Sequence, residues 1–276
     1  MPRQQKPIIA ELPQPEQVDV QQLLASYAAG DIDLICVLGP TASGKTKYAV
    51  RLAQQMNSML PDGLDGVEII SADSRQIFRG MDIGTGKDLC EYDGIPYHLI
   101  DILPAGAHYN VYEFKRDFTA AWNDIRSRCR IPILCGGTGL YINAVTAGYD
   151  FSGPHPLSES REEVPVSADA PRSTFFIGTL VSREVRNAKI DARLDARLHE
   201  GMVEEIKGLL DSGVPAETLI AYGLEYKFVT QYILGELSYD QMRLQLATAI
   251  HQFAKRQMTW FRGMERSGVR IHWVEV

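Results

Sequence analysis

The run Asp33-Leu34-Ile35-Cys36-Val37-Leu38 passes directly into Gly39-Pro40-Thr41-Ala42-Ser43-Gly44-Lys45-Thr46. A mostly apolar run of this length reads as a strand covered on both faces, as in a parallel sheet. The octet after it fits the spacing GxxxxGK(S/T), and an amphipathic helical pattern over 45–59 follows. In that setting Gly39, Thr41, Ala42, Ser43 and Gly44 turn backbone N–H groups toward one centre, and the helix adds its positive end. Lys45 supplies a mobile charge for the outer phosphate, and Thr46 offers a hydroxyl to Mg²⁺. The octet predicts a bound di- or triphosphate. Kinases, NTPases and diphosphate-consuming transferases can all share it.

Outward from this junction the pattern repeats. Apolar runs at 67–71, 131–135 and 174–180 alternate with helical patterns at 111–128 and 139–147, with a short helix expected at 18–29. Strands separated by helices of this length predict a P-loop NTPase-like parallel sheet flanked by helices. Beyond Leu180 the chain reads as helical, and Ile190, Leu194, Leu198, Met202, Val203, Ile206 and Leu209 share one face behind a Ser182 cap. Further helices are expected at 215–234 and 239–262, then a strand at 269–274. The organisation predicted is a tail and short helix (1–30), an α/β core (31–148), a polar loop (149–173), and a last core strand with C-terminal helices (174–276). The first 17 residues hold four prolines and four glutamines and read as a mobile tail.

Composition narrows the class. In 276 residues, 45% are hydrophobic and no run nears the ~18 apolar residues of a membrane span. The N-terminus lacks a signal-peptide core, so a cytoplasmic protein without membrane contact is expected. Cys36, Cys90, Cys129 and Cys135 show no CxxC spacing, which argues against structural zinc, and all four read as small apolar residues. The net charge of −7 excludes a uniformly basic coat. Between 241 and 272, however, Arg243, Lys255, Arg256, Arg262, Arg266 and Arg270 face one acid, Glu265, with Phe253, Trp260 and Phe261 interleaved. That is a footprint for a polyanion, or else a solvated helix face with its aromatics in the core.

Two further strand ends carry chemistry. Residues just beyond the strands of such a sheet line its ligand crevice. Asp73, after the 67–71 strand, would face the cradle as a general base, a water-mediated Mg²⁺ ligand, or a simple cap. Gly136-Gly137-Thr138, after the 131–135 strand, permits close backbone approach, with Thr138 a helix cap, a channel residue or both.

The segments GPTASGKT (39–46), SADSRQIFRGMDIGTGK (71–87), HLIDI (98–102), GGTGLY (136–141) and QFAKRQMTWFR (252–262), in this order, resemble the tRNA dimethylallyltransferase family over most of the chain. The resemblance implies transfer of a five-carbon prenyl group from dimethylallyl diphosphate to N6 of an adenine in the tRNA anticodon loop, with Mg²⁺. By similarity the P-loop with Lys45 holds the diphosphate, Asp73 accepts the N6 proton, Thr138 lines the channel and Arg183 assists the diphosphate. Asp73, Ser74, Arg75 and Gln76 would meet the flipped adenine, and Lys255, Arg256, Gln257, Trp260 and Arg262 the tRNA. A monomer is expected. The chain departs from the family at 149–172, where a polar loop replaces the usual helical insertion, and at Ala221–Tyr226, which only approximates a glycine-tyrosine motif. An adenylate isopentenyltransferase acting on free AMP is therefore the alternative, followed by a small-molecule kinase. A catalytically silent RNA-binding paralogue would lack the P-loop or Asp73, and neither is missing.

Overall fold

The structure, a computed structural model, describes residues 13–147 and 170–276. Its elements in chain order are α1 (Val20–Ala28), β1 (Leu34–Leu38), α2 (Lys45–Asn57), β2 (Val67–Ser71), β3 (Phe78–Arg79), β4 (Tyr97–His98), β5 (Leu103–Pro104), α3 (Val111–Ser127), β6 (Ile131–Gly136) and α4 (Gly139–Thr146). There follow β7 (Thr174–Leu180), α5 (Arg183–Glu200), α6 (Met202–Asp211), α7 (Ala216–Tyr222), α8 (Leu224–Ile233), α9 (Tyr239–Arg266) and β8 (Ile271–Glu275).

Six strands form one parallel sheet in the order β4-β2-β6-β1-β7-β8. Every residue of β1, β2 and β6 is buried, as expected of strands covered on both faces. Alternate β1 residues serve the two layers. Ile35 and Val37 pack with α1 and α2, while Leu34, Cys36 and Leu38 join the larger core under α3, α4 and the C-terminal helices. The P-loop-like sheet flanked by helices is thus observed. The chain builds β1, β2 and β6 on one side of the cradle before placing β7 on the other, so β1 marks the topological switch point.

Two predicted helices are each split in two. Gly201 (φ 102°) separates α5 from α6, and Gly223 (φ 77°) separates α7 from α8. Both adopt left-handed backbone that a side chain would disfavour. The short strands β3, β4 and β5 were not legible in the sequence. The predicted polar loop at 149–173 and the tail at 1–17 fall largely outside the described residues. Of the cysteines, Cys36 and Cys135 are buried, but Cys90, in a short 3-10 helix (Leu89–Tyr92), and Cys129, in a turn, are exposed, contrary to the expectation for all four. No helix among the described residues is long and apolar enough to cross a membrane.

Candidate active site

Because β2, β6 and β1 are neighbours, the loops after them emerge side by side: 72–77, 137–138 and the cradle 39–44. The cradle is braced from below, where buried Ser43 Oγ and Thr179 Oγ1 of β7 share a hydrogen bond of 2.6 Å. Lys45 and Asp73 lie within each other's field. Desolvation lowers the Lys45 pKa, and the Asp73 carboxylate opposes that shift. Beside them burial pushes the Cys135 thiol up to about 12, against the pull of Lys45 and a hydrogen bond with Thr46.

Asp73 performs the local task and keeps capacity for another. Its Oδ1 accepts from Arg75 N–H at 3.0 Å, closing an Asx turn, while Oδ2 has no protein donor among the described residues. Thr138, by contrast, does not cap α4 with its side chain. Its hydroxyl accepts from Ser74 N–H at 3.3 Å, tying the β6 loop to the β2 loop. Tyr141, stacked on Phe114 with centroids 4.1 Å apart, has its pKa raised by burial and by Asp73, and so walls the same crevice.

Three predicted acceptor-side residues turn inward instead. Arg75 ion-pairs with buried Glu225 of α8 and lies over the Phe253 ring (5.7 Å), so its guanidinium anchors the loop. Gln76 spans Ser71 Oγ and the Gly86 carbonyl at 3.4 Å each. Gln257, expected on the tRNA face, is buried on α9 and bonds the two loops beside it. A glutamine amide satisfies buried backbone groups that would otherwise be costly, which explains why a polar residue of α9 points in. Lys255 and Arg256 are exposed as predicted, Trp260 is 41% exposed, and Arg262 is half-buried. Of the six cations counted between 241 and 272, Arg243 pairs with Asp195 and Arg270 with Glu16, so four remain without an ion pair among the described residues.

Arg183 opens α5 behind the Ser182 cap (Val185 N–H to Oγ, 3.3 Å) and is exposed. The α5 arginine whose charge reaches Lys45 is Arg193, which also bonds Asp88 at 3.0 Å. Arg183 instead neighbours Arg186. Burial first, then the charges of Arg183 and Arg262, lower the Arg186 pKa, and its buried Nε has no partner among the described residues. None of these three guanidiniums makes an ion pair among the described residues. The sequence reading also missed Glu205, which accepts from the backbone N–H groups of Asp82, Ile83 and Gly84 (2.8, 2.7 and 3.1 Å) and from Tyr226 Oη (2.8 Å). It fixes the segment after β3 from more than a hundred residues away, and no local pattern announces that.

Mg²⁺ is ordinarily held by one or two protein oxygens plus substrate phosphates. Thr46, half-exposed in the first turn of α2 beside Lys45, fits such a site, and no cluster of three His, Cys, Asp or Glu side chains is present among the described residues.

A parallel sheet with a glycine-rich loop at its switch point, a carboxylate whose charge is felt by the loop's lysine and a cationic helix alongside is the arrangement of a P-loop-like group-transfer enzyme. The IPP transferase family model matches residues 76–172 and 149–264. The tRNA dimethylallyltransferase 2 of Porphyromonas gingivalis is 47% identical, the match covering 88% of this chain and 93% of the relative. The tRNA dimethylallyltransferase 1 of Parabacteroides distasonis is 46% identical, covering 88% and 92%. The crystal structure of tRNA isopentenylpyrophosphate transferase from Bacillus halodurans superposes with a TM-score of 0.73 at 29% identity, covering 88% of this chain and 89% of that one. This chain belongs to the IPP transferase family, the tRNA dimethylallyltransferases.

Proposed function

We propose that the protein transfers a dimethylallyl group from dimethylallyl diphosphate to N6 of an adenine in the tRNA anticodon loop. The observation that carries this reading is Asp73 after β2, within the field of Lys45, its Oδ1 held by Arg75 N–H and its Oδ2 without a protein donor among the described residues. The adenine N6 attacks C1 of the dimethylallyl group, and the C1–O bond to the diphosphate breaks. The N6 proton passes to Asp73, and the bond's electron pair leaves with the diphosphate. An exocyclic amine is a weak nucleophile, and a positioned base contributes roughly 10²–10⁴ in rate. The expected amides of Thr41 and Ser43 are taken by Gln257 Oε1 and the Pro40 carbonyl, so the remaining cradle amides, with Lys45 and Arg193, meet the charge that develops on the leaving group, and such preorganised donors are worth about 3 kcal/mol each. Mg²⁺ beside Thr46 would screen the diphosphate charge when bound. Thr138 fixes the spacing of the two loops on the acceptor side.

The acceptor is tRNA rather than free AMP in this reading. Its supports are the names of the relatives and the cations Lys255, Arg256, Arg262 and Arg266 of α9, which have no ion pair among the described residues. The alignment with the Porphyromonas gingivalis enzyme runs over 291 positions although only 88% of these 276 residues take part. The relative thus carries residues this chain lacks, in keeping with a reduced insertion at 149–173.

The test is incubation with labelled dimethylallyl diphosphate and either unmodified tRNA or AMP, with Asp73→Asn alongside. Label entering tRNA is expected, and the variant should lose at least about 100-fold in kcat while retaining donor affinity. Label entering AMP alone would replace the acceptor, and near-normal turnover by the variant would remove Asp73 from the base role.

A further inference from the structure

Gln257 of α9 holds two site loops at once. Its Oε1 accepts from the N–H of Thr41 in the cradle at 2.8 Å, and its Nε2 donates to the carbonyl of Gly137 after β6 at 2.9 Å. One turn on, Trp260 covers Gly139 so closely that a Cβ there would collide with the indole, and a Cβ on Gly137 would collide with Gln257 Nε2. Gly137 and Gly139 therefore admit α9. Flanking Gln257 on the same helix, Lys255, Arg256 and Thr259 are exposed.

From this geometry we infer that Gln257 is a positioning residue that couples occupancy of the cationic face of α9 to the donor cradle. The inference rests on the reading that the cradle holds the donor diphosphate and α9 meets RNA. A primary amide is the chemistry this place requires, since it presents an acceptor and a donor together. A carboxylate keeps only the acceptor, and an alkyl chain offers neither. With Thr41 N–H turned to α9, the later cradle amides are set by where α9 lies. Any shift of α9 on binding RNA moves Thr41 and Gly137 together. Such coupling is reciprocal, so RNA alters diphosphate affinity by the same factor as diphosphate alters RNA affinity.

The experiment titrates inorganic pyrophosphate with Mg²⁺ by calorimetry, with and without saturating tRNA, into the wild-type protein, Gln257→Leu and Gly137→Ala. Thermal melts establish that each variant is folded. In the wild type, tRNA is expected to change the pyrophosphate Kd by about fivefold or more, the low end of measured site-to-site coupling. In Gln257→Leu that ratio should fall to within about twofold of unity while tRNA affinity measured alone stays within about twofold of wild type. Gly137→Ala displaces the amide from the opposite side and leaves α9 untouched in sequence, and it should give the same loss. Gln257→Glu, which keeps the Thr41 acceptor, should retain part of the ratio. A wild-type ratio in both Gln257→Leu and Gly137→Ala, or no ratio in the wild type, overturns the inference and leaves the cradle reading standing. Absence of pyrophosphate binding in the wild type overturns both.

Discussion

Thr138 Oγ1 accepts the N–H of Ser74 across the ends of two adjacent strands at 3.3 Å. That bond sets the distance between the loop carrying Asp73 and the loop that opens α4. Ser74 N–H and Thr138 Oγ1 both lie at the half-buried rim of the crevice, where an unmet donor costs about 1–3 kcal/mol.

Thr138→Val is accordingly expected to keep the fold and to misplace Asp73. The predicted result is a drop in kcat of about 10-fold or more with little change in donor KM, while Thr138→Ser, which retains the acceptor, stays near wild type. Steady-state kinetics on tRNA checks this. A loss in the serine variant with the valine variant near wild type would mean that the methyl group matters and the hydroxyl does not.

Acid stability should depend on Glu68, on β2. Its buried carboxylate takes a bidentate pair from Arg128 (2.5 and 2.9 Å), one bond from Arg130 (2.6 Å) and one from His98 (2.6 Å). The hydrogen bonds from Arg128 first, with His98 and Arg130 adding against desolvation, bring its pKa from 4.5 down to about 2. Between those two values the unfolded chain binds a proton that the native protein does not. The contribution is complete above pH 4.5 and is lost as pH falls through about 2. It amounts to about 3 kcal/mol. Urea midpoints measured across this window should rise with pH in the wild type and flatten in Glu68→Gln, which is also destabilised because Arg128 and Arg130 lose the buried carboxylate they share and keep only the exposed Asp124 and Asp65.

The exposed pair Lys255 and Arg256 gives a salt-dependent prediction. Each alanine substitution should weaken tRNA binding about equally across tRNA sequences and lower the slope of log affinity against log salt by about 1. Donor KM should stay unchanged. An effect confined to donor KM would detach these residues from the RNA face.

The fold was legible where its determinants are local. The 33–46 junction joins an apolar strand to a fixed-spacing cradle, and the strands at 67–71 and 174–180 appear with the predicted bounds. The splits at Gly201 and Gly223 were hidden because the apolar spacing continues across them: Leu198 and Met202 keep helical register although the residue before Met202 is left-handed. At the site, Lys45, Thr46 and Asp73 were readable from their position after strands. The inward turn of Gln257, the Arg75–Glu225 pair and the reach of Glu205 to residues 82–84 depend on which helix packs where. The basic count over 241–272 overstated the free charge for the same reason, since Asp195 and Glu16 are distant in sequence.

Arg186 offers the sharpest separation of stability from function. It is 8% exposed, its Nε has no acceptor among the described residues, and Arg183 and Arg262 add like charge beside it. The two α5–α9 contacts, the Asp195–Arg243 ion pair and the approach of His251 Nε2 to Asp191 (2.9 Å), run antiparallel and so bring the start of α5 toward the Arg262 end of α9. A desolvated cation without an ion pair among the described residues, and with only the weaker field of Glu184 in its favour, destabilises the fold, and replacing buried charge with an apolar side chain of similar volume is commonly neutral to stabilising. Arg186→Met should therefore gain about 1 kcal/mol of stability, read as a higher Tm. A polyanion would reward the same cluster, so tRNA affinity should fall in that variant and its salt slope should shrink by about 1. A gain in Tm with unchanged tRNA binding would assign Arg186 no part in RNA recognition, and a loss in Tm would mean that its aliphatic stem outweighs the cost of its charge.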